Sequence, residues 1–244
     1  MNKDALLQGF IGLGVRPGMM LEVHSSLSSF GHVEGGAETV IAALMEAVTG
    51  DGSIFMPALR IAPPSEITEE DRALGITEKI RILPPEAPYS GMGTIADRFR
   101  ARPDVCVGEG VFRIAAWGKM AAEVKDGLSY PLKKGGKALL LGVDIYKLTA
   151  MHYVEDILPG SIRRIFEPKN SKVRELYPES EWFIECGRPP VQAWYAIQRM
   201  AYERGLIKDA TIGNCKAMFF DIASVVGIYR RELQLHPEQL YGLA

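Results

Sequence analysis

Residues 19–57 read MMLEVHSSLSSFGHVEGGAETVIAALMEAVTGDGSIFMP, and this stretch decides the fold class. Met19 to His24 is a short apolar run that reads as a buried strand, and Ser53 to Met56 is a second, closed by Pro57. Between them, Ser25 to Gly36 is a loop rich in Ser and Gly. Ala37 to Val48 then places Val40, Ile41, Leu44, Met45 and Val48 at helical spacing, until Thr49-Gly50-Asp51-Gly52 stops the helix. Strand, loop, helix and strand in that order make a βαβ unit, which predicts an α/β fold whose sheet contains parallel pairs.

Upstream, Asp4 to Leu13 carries a helical stripe of Leu6, Leu7, Phe10, Ile11 and Leu13 that ends in the turn Gly14-Val15-Arg16-Pro17-Gly18. Downstream, Gly93 to Ala101 reads as a helix and Ile114 to Trp117 as a short strand. Ala138 to Val143 is the third strong strand, followed by a helix around His152 with Thr149 at its N-cap. Trp182 to Cys186 alternates weakly as an edge strand, and Val191 to Tyr202 makes another amphipathic helix. Thr211 to Phe220 and a helix from Asp221 to Leu233 close the chain. Arg60 to Tyr89 loses clear periodicity, contains Pro63-Pro64 and Pro84-Pro85, and reads as a functional loop or lid. Its acidic residues Glu66, Glu69, Glu70 and Asp71 are either the first turn of a short solvated helix or a rim that attracts a cation.

Composition narrows the classes. The 244 residues show no linker or charge block, so residues 1–244 are expected to form one domain. A net charge of −2 gives no basic footprint, which argues against a nucleic-acid partner. The chain opens without signal-peptide character and has no apolar run long enough to span a bilayer, so a cytosolic protein without a membrane partner is expected. Cys106, Cys186 and Cys215 are odd in number and far apart, which fits reduced thiols in buried packing positions. The histidines His24, His32, His152 and His236 show no metal-binding spacing, so no metal is expected.

Two constellations carry chemistry. The first runs from Val23-His24 through the Ser- and Gly-rich loop to Ala37-Glu38, where small residues after a strand let backbone amides approach a ligand closely and the next helix can present free N–H groups. It is not a Walker loop, because no Gly-Lys-Ser/Thr follows Gly35-Gly36, and Ser25 and Ser26 lack the GxSxG nucleophile elbow. The second constellation is His152 with Glu155, three residues apart and so on one helix face. The imidazole can take a proton near neutral pH while the carboxylate steadies the imidazolium. A base without an evident protein nucleophile suits direct transfer to an incoming amine.

Val23-His24-Ser25-Ser26-Leu27-Ser28 with Gly31 and Val33 to Gly36, then Phe55-Met56-Pro57, Met92-Gly93, Ala115-Ala116-Trp117-Gly118, Leu139 to Val143, Thr149 to Glu155 and Ile212-Gly213-Asn214-Cys215 run collinearly along the chain. Together they resemble the aminoglycoside 3-N-acetyltransferase family. The resemblance implies a three-layer α/β/α fold with a mixed, partly parallel central sheet, distinct from the GNAT acetyltransferases. It also implies acetyl-CoA as cosubstrate, an aminoglycoside or related amino compound as small-molecule acceptor, and a monomer or homodimer. By position it assigns His152 as general base and Glu155 as its acidic neighbour, and lays Ser25, Ser26, Leu27 and Ser28, with Gly35 and Gly36, along the pantetheine arm. Of the carboxylates a polycationic acceptor would need, Asp71 and Glu185 are preferred because they adjoin segments that flank the acceptor site in the family, and Tyr89 is placed in the same cleft.

The chain departs from the family pattern between Cys106 and Arg113. Glu109 stands where the family shows a histidine and Arg113 where it shows a serine, in a segment close to the cofactor. Two other readings therefore remain open: an acyl-CoA-binding relative with a non-antibiotic acceptor or no turnover, and an unrelated hydrolase that uses His152 with a serine.

Overall fold

Alternation along each strand sorts the side chains of the main sheet into two separate cores. In the computed structural model, which describes residues 1–125, 127–187 and 191–243, the strands are β1 (Met20–Ser25), β2 (Ser53–Pro57), β3 (Ile76–Arg81), β4 (Cys106–Val107), β5 (Ile114–Gly118), β6 (Lys137–Leu141), β7 (Trp182–Cys186), β8 (Lys208–Ile212) and β9 (Cys215–Asp221). Leu139 and Leu141 of β6, Ile54 and Met56 of β2, and Ala217 and Phe219 of β9 face helices Lys3–Leu13, Gly36–Val48 and Thr94–Arg100. Their neighbours Ala138, Leu140, Phe55, Met218 and Phe220 face helices Val191–Glu203 and Ile222–Leu235 on the other side. Helices therefore cover both faces, which is the three-layer α/β/α arrangement.

The seven-stranded sheet runs β4-β5-β2-β1-β6-β9-β8. Central β1 is parallel to both β2 and β6, and the outer pairs are antiparallel, so the sheet is mixed. The chain leaves β1 toward β2 on one side while β6 lies on the other. This makes the carboxyl end of β1 a switch point, where loops diverge and leave a crevice. The loop after β1 reaches that crevice because Gly142, just past β6, has φ of +69° and no side chain; a Cβ there would collide with Ser29 Oγ.

Several sequence expectations need correction. The segment Thr149–Ile157 is a 3₁₀ helix rather than an α-helix, and Leu148, not Thr149, occupies its N-cap, with no side-chain cap. Arg60 to Tyr89 is not a bare lid, because it contains strand β3; the short helix expected at the acidic cluster is present as Glu69–Ala73, with Glu69, Glu70 and Asp71 in its first turn. β7 is an edge strand as expected, but of a separate two-stranded sheet in which it pairs antiparallel with β3. Alternation alone could not reveal this, since β3 begins with the weakly patterned Ile76-Thr77-Glu78. Thr211 to Phe220 splits into the β8–β9 hairpin at Gly213-Asn214. Cys186 and Cys215 are buried, but Cys106 is exposed on β4, an edge strand only two residues long.

Candidate functional site

The crevice at the end of β1 is a groove of about 600 Å³, lined from one side by His24, Ser25, Ser26, Leu27, Ser28 and Gly31 and from the other by Val143, Tyr146, Lys147, Thr149 and His152. Pro57, Leu59, Ile61 and residues Gly91 to Thr94 with Ala96 complete it. That size is within the usual range for small-molecule sites. The serine loop and the histidine of the 3₁₀ segment thus share one cavity.

His152 Nδ1 lies 2.9 Å from Glu155 Oε1. Residues i and i+3 eclipse in a 3₁₀ helix, so this geometry stacks the two side chains directly. The imidazole edge rests on Trp194, with ring centroids 4.9 Å apart, and Arg163 donates to the Glu155 carbonyl at 2.9 Å, fixing the far end of the turn. With Nδ1 occupied, Nε2 has no hydrogen-bond partner among the described residues and the side chain is 59% exposed. Such a ring is held by one nitrogen and available through the other.

Glu185 approaches this pair from β7. Burial, first, and the neighbouring carboxylates of Glu78 and Glu155 push it up to about 7, against an opposing effect of His152. Glu78 and Glu185 are cross-strand partners in the register of the small sheet. Glu185 is not part of the groove lining, yet it belongs to the electrostatic surroundings of His152.

The serines occupy the groove without being activated by a base. Ser26 Oγ and Ser28 Oγ are 3.1 Å apart, and Ser29 Oγ donates to the Ser26 carbonyl at 2.7 Å. Among the described residues no serine is hydrogen-bonded to a histidine side chain. Gly35 and Gly36 do start the next helix, with Gly35 in the left-handed region as its cap, but neither is part of the groove lining.

The expectation for Asp71 is corrected by its surroundings. It is 1% exposed, forms a capping box with Thr68, pairs with Lys79, and accepts from the Tyr177 hydroxyl at 2.7 Å. Burial would raise its carboxyl, but Lys79, Tyr177 and Thr68 outweigh that and hold it well below the usual carboxylate range. Nothing is left over for a ligand. Tyr89 is 70% exposed and also outside the groove lining.

In the departing segment, Glu109 is exposed and Val111 and Phe112 line a different, smaller cavity of about 300 Å³ over β7. Arg113 donates to the carbonyls of Ala58 at 3.1 Å and Pro85 at 2.9 Å. Arg60 reaches Leu83 O at 2.9 Å and Arg100 reaches Ala87 O at 2.6 Å, so three guanidinium groups strap the proline loop in place.

His24 stands in the stretch read from the sequence as a ligand groove but was given no role of its own there, and Tyr146 and Lys147 were missed. A signal for His24 existed: Glu22 and His24 alternate on an otherwise apolar strand, which puts two polar side chains on one buried face.

A family model described as aminoglycoside 3-N-acetyltransferase matches residues 23–234. An aminoglycoside N(3)-acetyltransferase III of a Salmonella species is 34% identical, over 96% of this chain and 92% of that protein. The prophage-derived aminoglycoside N(3′)-acetyltransferase-like protein YokD of Bacillus subtilis is 33% identical, over 92% and 89% respectively. The crystal structure of YokD superposes with a TM-score of 0.69, covering 94% of this chain and 92% of that one at 22% identity. A binary complex of AAC-IIIb with CoASH superposes at 0.68, covering 96% of each chain at 17% identity.

Proposed function

This chain belongs to the aminoglycoside 3-N-acetyltransferase family, and from that premise we propose that it transfers acetyl from acetyl-CoA directly to an amine of an aminoglycoside or a related amino compound, with His152 as general base. The observation that carries the reading is the His152–Glu155 pair at 2.9 Å, opening through an Nε2 without a partner among the described residues into the groove that the serine loop also lines. Bound acetyl-CoA supplies an acetyl group activated as a thioester. The groove's own chemistry fits such a ligand: small residues at Ser25, Ser26, Ser28, Gly31, Gly91 and Gly93 line it, and a protein of the same fold is known in complex with CoASH.

His152 Nε2 takes the proton that the amine gives up on attack, while the Glu155 carboxylate, 2.9 Å from Nδ1, steadies the charged ring. The half-buried Glu185 adds negative charge beside the base once it ionises, which suits a cationic acceptor, as do relatives whose names place aminoglycosides as their substrates. Direct transfer is favoured over an acyl-serine route because the groove serines are paired with one another and with backbone rather than with a base.

The test mixes the protein with acetyl-CoA and a panel of amines and follows free thiol. Thiol released only when amine is present, with an acetylated amine as product, is the expected result. Amine-independent release would make the protein a thioester hydrolase, and no release with any amine would reduce it to a binding protein.

A further inference from the structure

Glu22 and His24 are the polar residues buried in the central strand, 1% and 6% exposed. Nε2 of His24 is engaged on the protein side. It lies 2.8 Å from Glu22 Oε1 and 3.3 Å from the Thr149 amide, and the same Glu22 oxygen accepts from the Ala150 amide at 3.2 Å. These contacts tie β1 to the first two residues of the 3₁₀ segment that carries His152. The opposite nitrogen, Nδ1, has no hydrogen-bond partner among the described residues. It is not sealed in the core either, since the fully enclosed side-chain atoms without a partner are Glu22 Oε2 and Trp194 Nε1, and His24 lines the groove. A ring more than nine-tenths buried, fixed through one nitrogen and open through the other into a cavity, is built to meet a ligand.

We propose that His24 is a ligand-binding residue of the groove: its Nδ1 hydrogen-bonds an amide of the coenzyme A arm, and Glu22 is the positioning residue that holds the ring for it. With Nε2–H donating to Glu22 Oε1, Nδ1 of the neutral ring is the acceptor, so it takes the N–H of such an amide. This rests on the acetyl-CoA reading above. Glu22 acts at two places at once, on the His24 ring and on the Ala150 amide. It therefore couples the orientation of the ligand arm to the placement of the segment bearing His152.

The two amide replacements of histidine separate the nitrogens. In His24→Gln the amide reaches toward Glu22 and Thr149, where Nε2 stood, and the groove contact is lost. In His24→Asn the shorter side chain keeps its amide near the Nδ1 position. Titration calorimetry with coenzyme A should show the dissociation constant rising about tenfold for His24→Gln, the size of one hydrogen bond of about 1.4 kcal/mol, and staying within about threefold for His24→Asn. Equal affinity in His24→Gln and the unaltered chain overturns the proposal, as does loss confined to His24→Asn. If either variant fails to fold, ¹⁵N-histidine spectra of the unaltered protein decide it: the His24 Nδ1 resonance must move when coenzyme A is added, and a stationary one overturns the assignment. Failure of coenzyme A to bind the unaltered chain sinks this inference and the acetyl-CoA reading together. Binding without any His24 response sinks the inference alone.

Discussion

The groove beside β1 and the small sheet of β3 and β7 each hold a buried carboxylate, Glu22 in the one and Asp71 in the other, and they treat their polar groups in opposite ways. Around Asp71 the hydrogen-bond capacity is used up internally, by Thr68, Lys79 and Tyr177. Around β1, His152 and His24 are each held through one ring nitrogen and, among the described residues, left unpaired at the other. Saturation is the mark of a structural ion pair, and half-saturation toward a cavity is the mark of a site for something else. Both regions contain charged residues on short helical turns, so charge alone does not tell them apart. Partner counting does.

The sharpest way to break this contrast is at His152. His152→Ala should lower kcat for amine acetylation by roughly 10²- to 10⁴-fold, the usual contribution of a general base, with melting temperature and coenzyme A affinity little changed. Unchanged turnover would remove His152 from the mechanism. Asp71→Asn should do the reverse, because it leaves the Lys79 ammonium buried without its counter-ion. A loss of about 3 kcal/mol and a fall in Tm of about 10 °C are expected, with kcat of the folded protein intact. A specific loss of acceptor binding without destabilisation would restore Asp71 to the acceptor site.

Glu185 sits between the two behaviours, and its pH dependence sharpens the comparison. Its folded value of about 7 lies above the ordinary 4.5. The stability it contributes is therefore complete below about 4.5 and lost as pH rises through 7, by on the order of 2 kcal/mol after allowance for its partial exposure. Glu185→Gln should remove that part of the slope, so thermal melts of the variant and the unaltered protein should converge or cross between pH 4.5 and 8. Parallel Tm profiles would show that Glu185 does not titrate there. The smallest effect belongs to Tyr89→Ala, expected within about 0.5 kcal/mol in stability and twofold in kcat/KM because the ring is solvated and outside the groove.

The sequence was legible where period and burial agree. The βαβ unit, the strand ending at Leu141 and the helix Ile222–Leu235 bury one face or both, so their apolar spacing is strong. It was not legible in β3, whose exposed Thr77 and Arg81 leave little apolar pattern, and whose partner β7 lies more than a hundred residues away. At the site, the i,i+3 spacing of His152 and Glu155 was visible because it is local. The preference for Asp71 followed from its position along the chain, which says nothing of the Lys79 and Tyr177 side chains that close around it.

By itself, then, the sequence determined the alternation of strands and helices, the family pattern and the local His152–Glu155 pair, all of which depend on residues near one another in the chain. Only the tertiary structure decided which polar groups are already satisfied. That is a property of partners brought together across 125 residues, as with His24 and Thr149, or 106, as with Asp71 and Tyr177, and no local spacing encodes it.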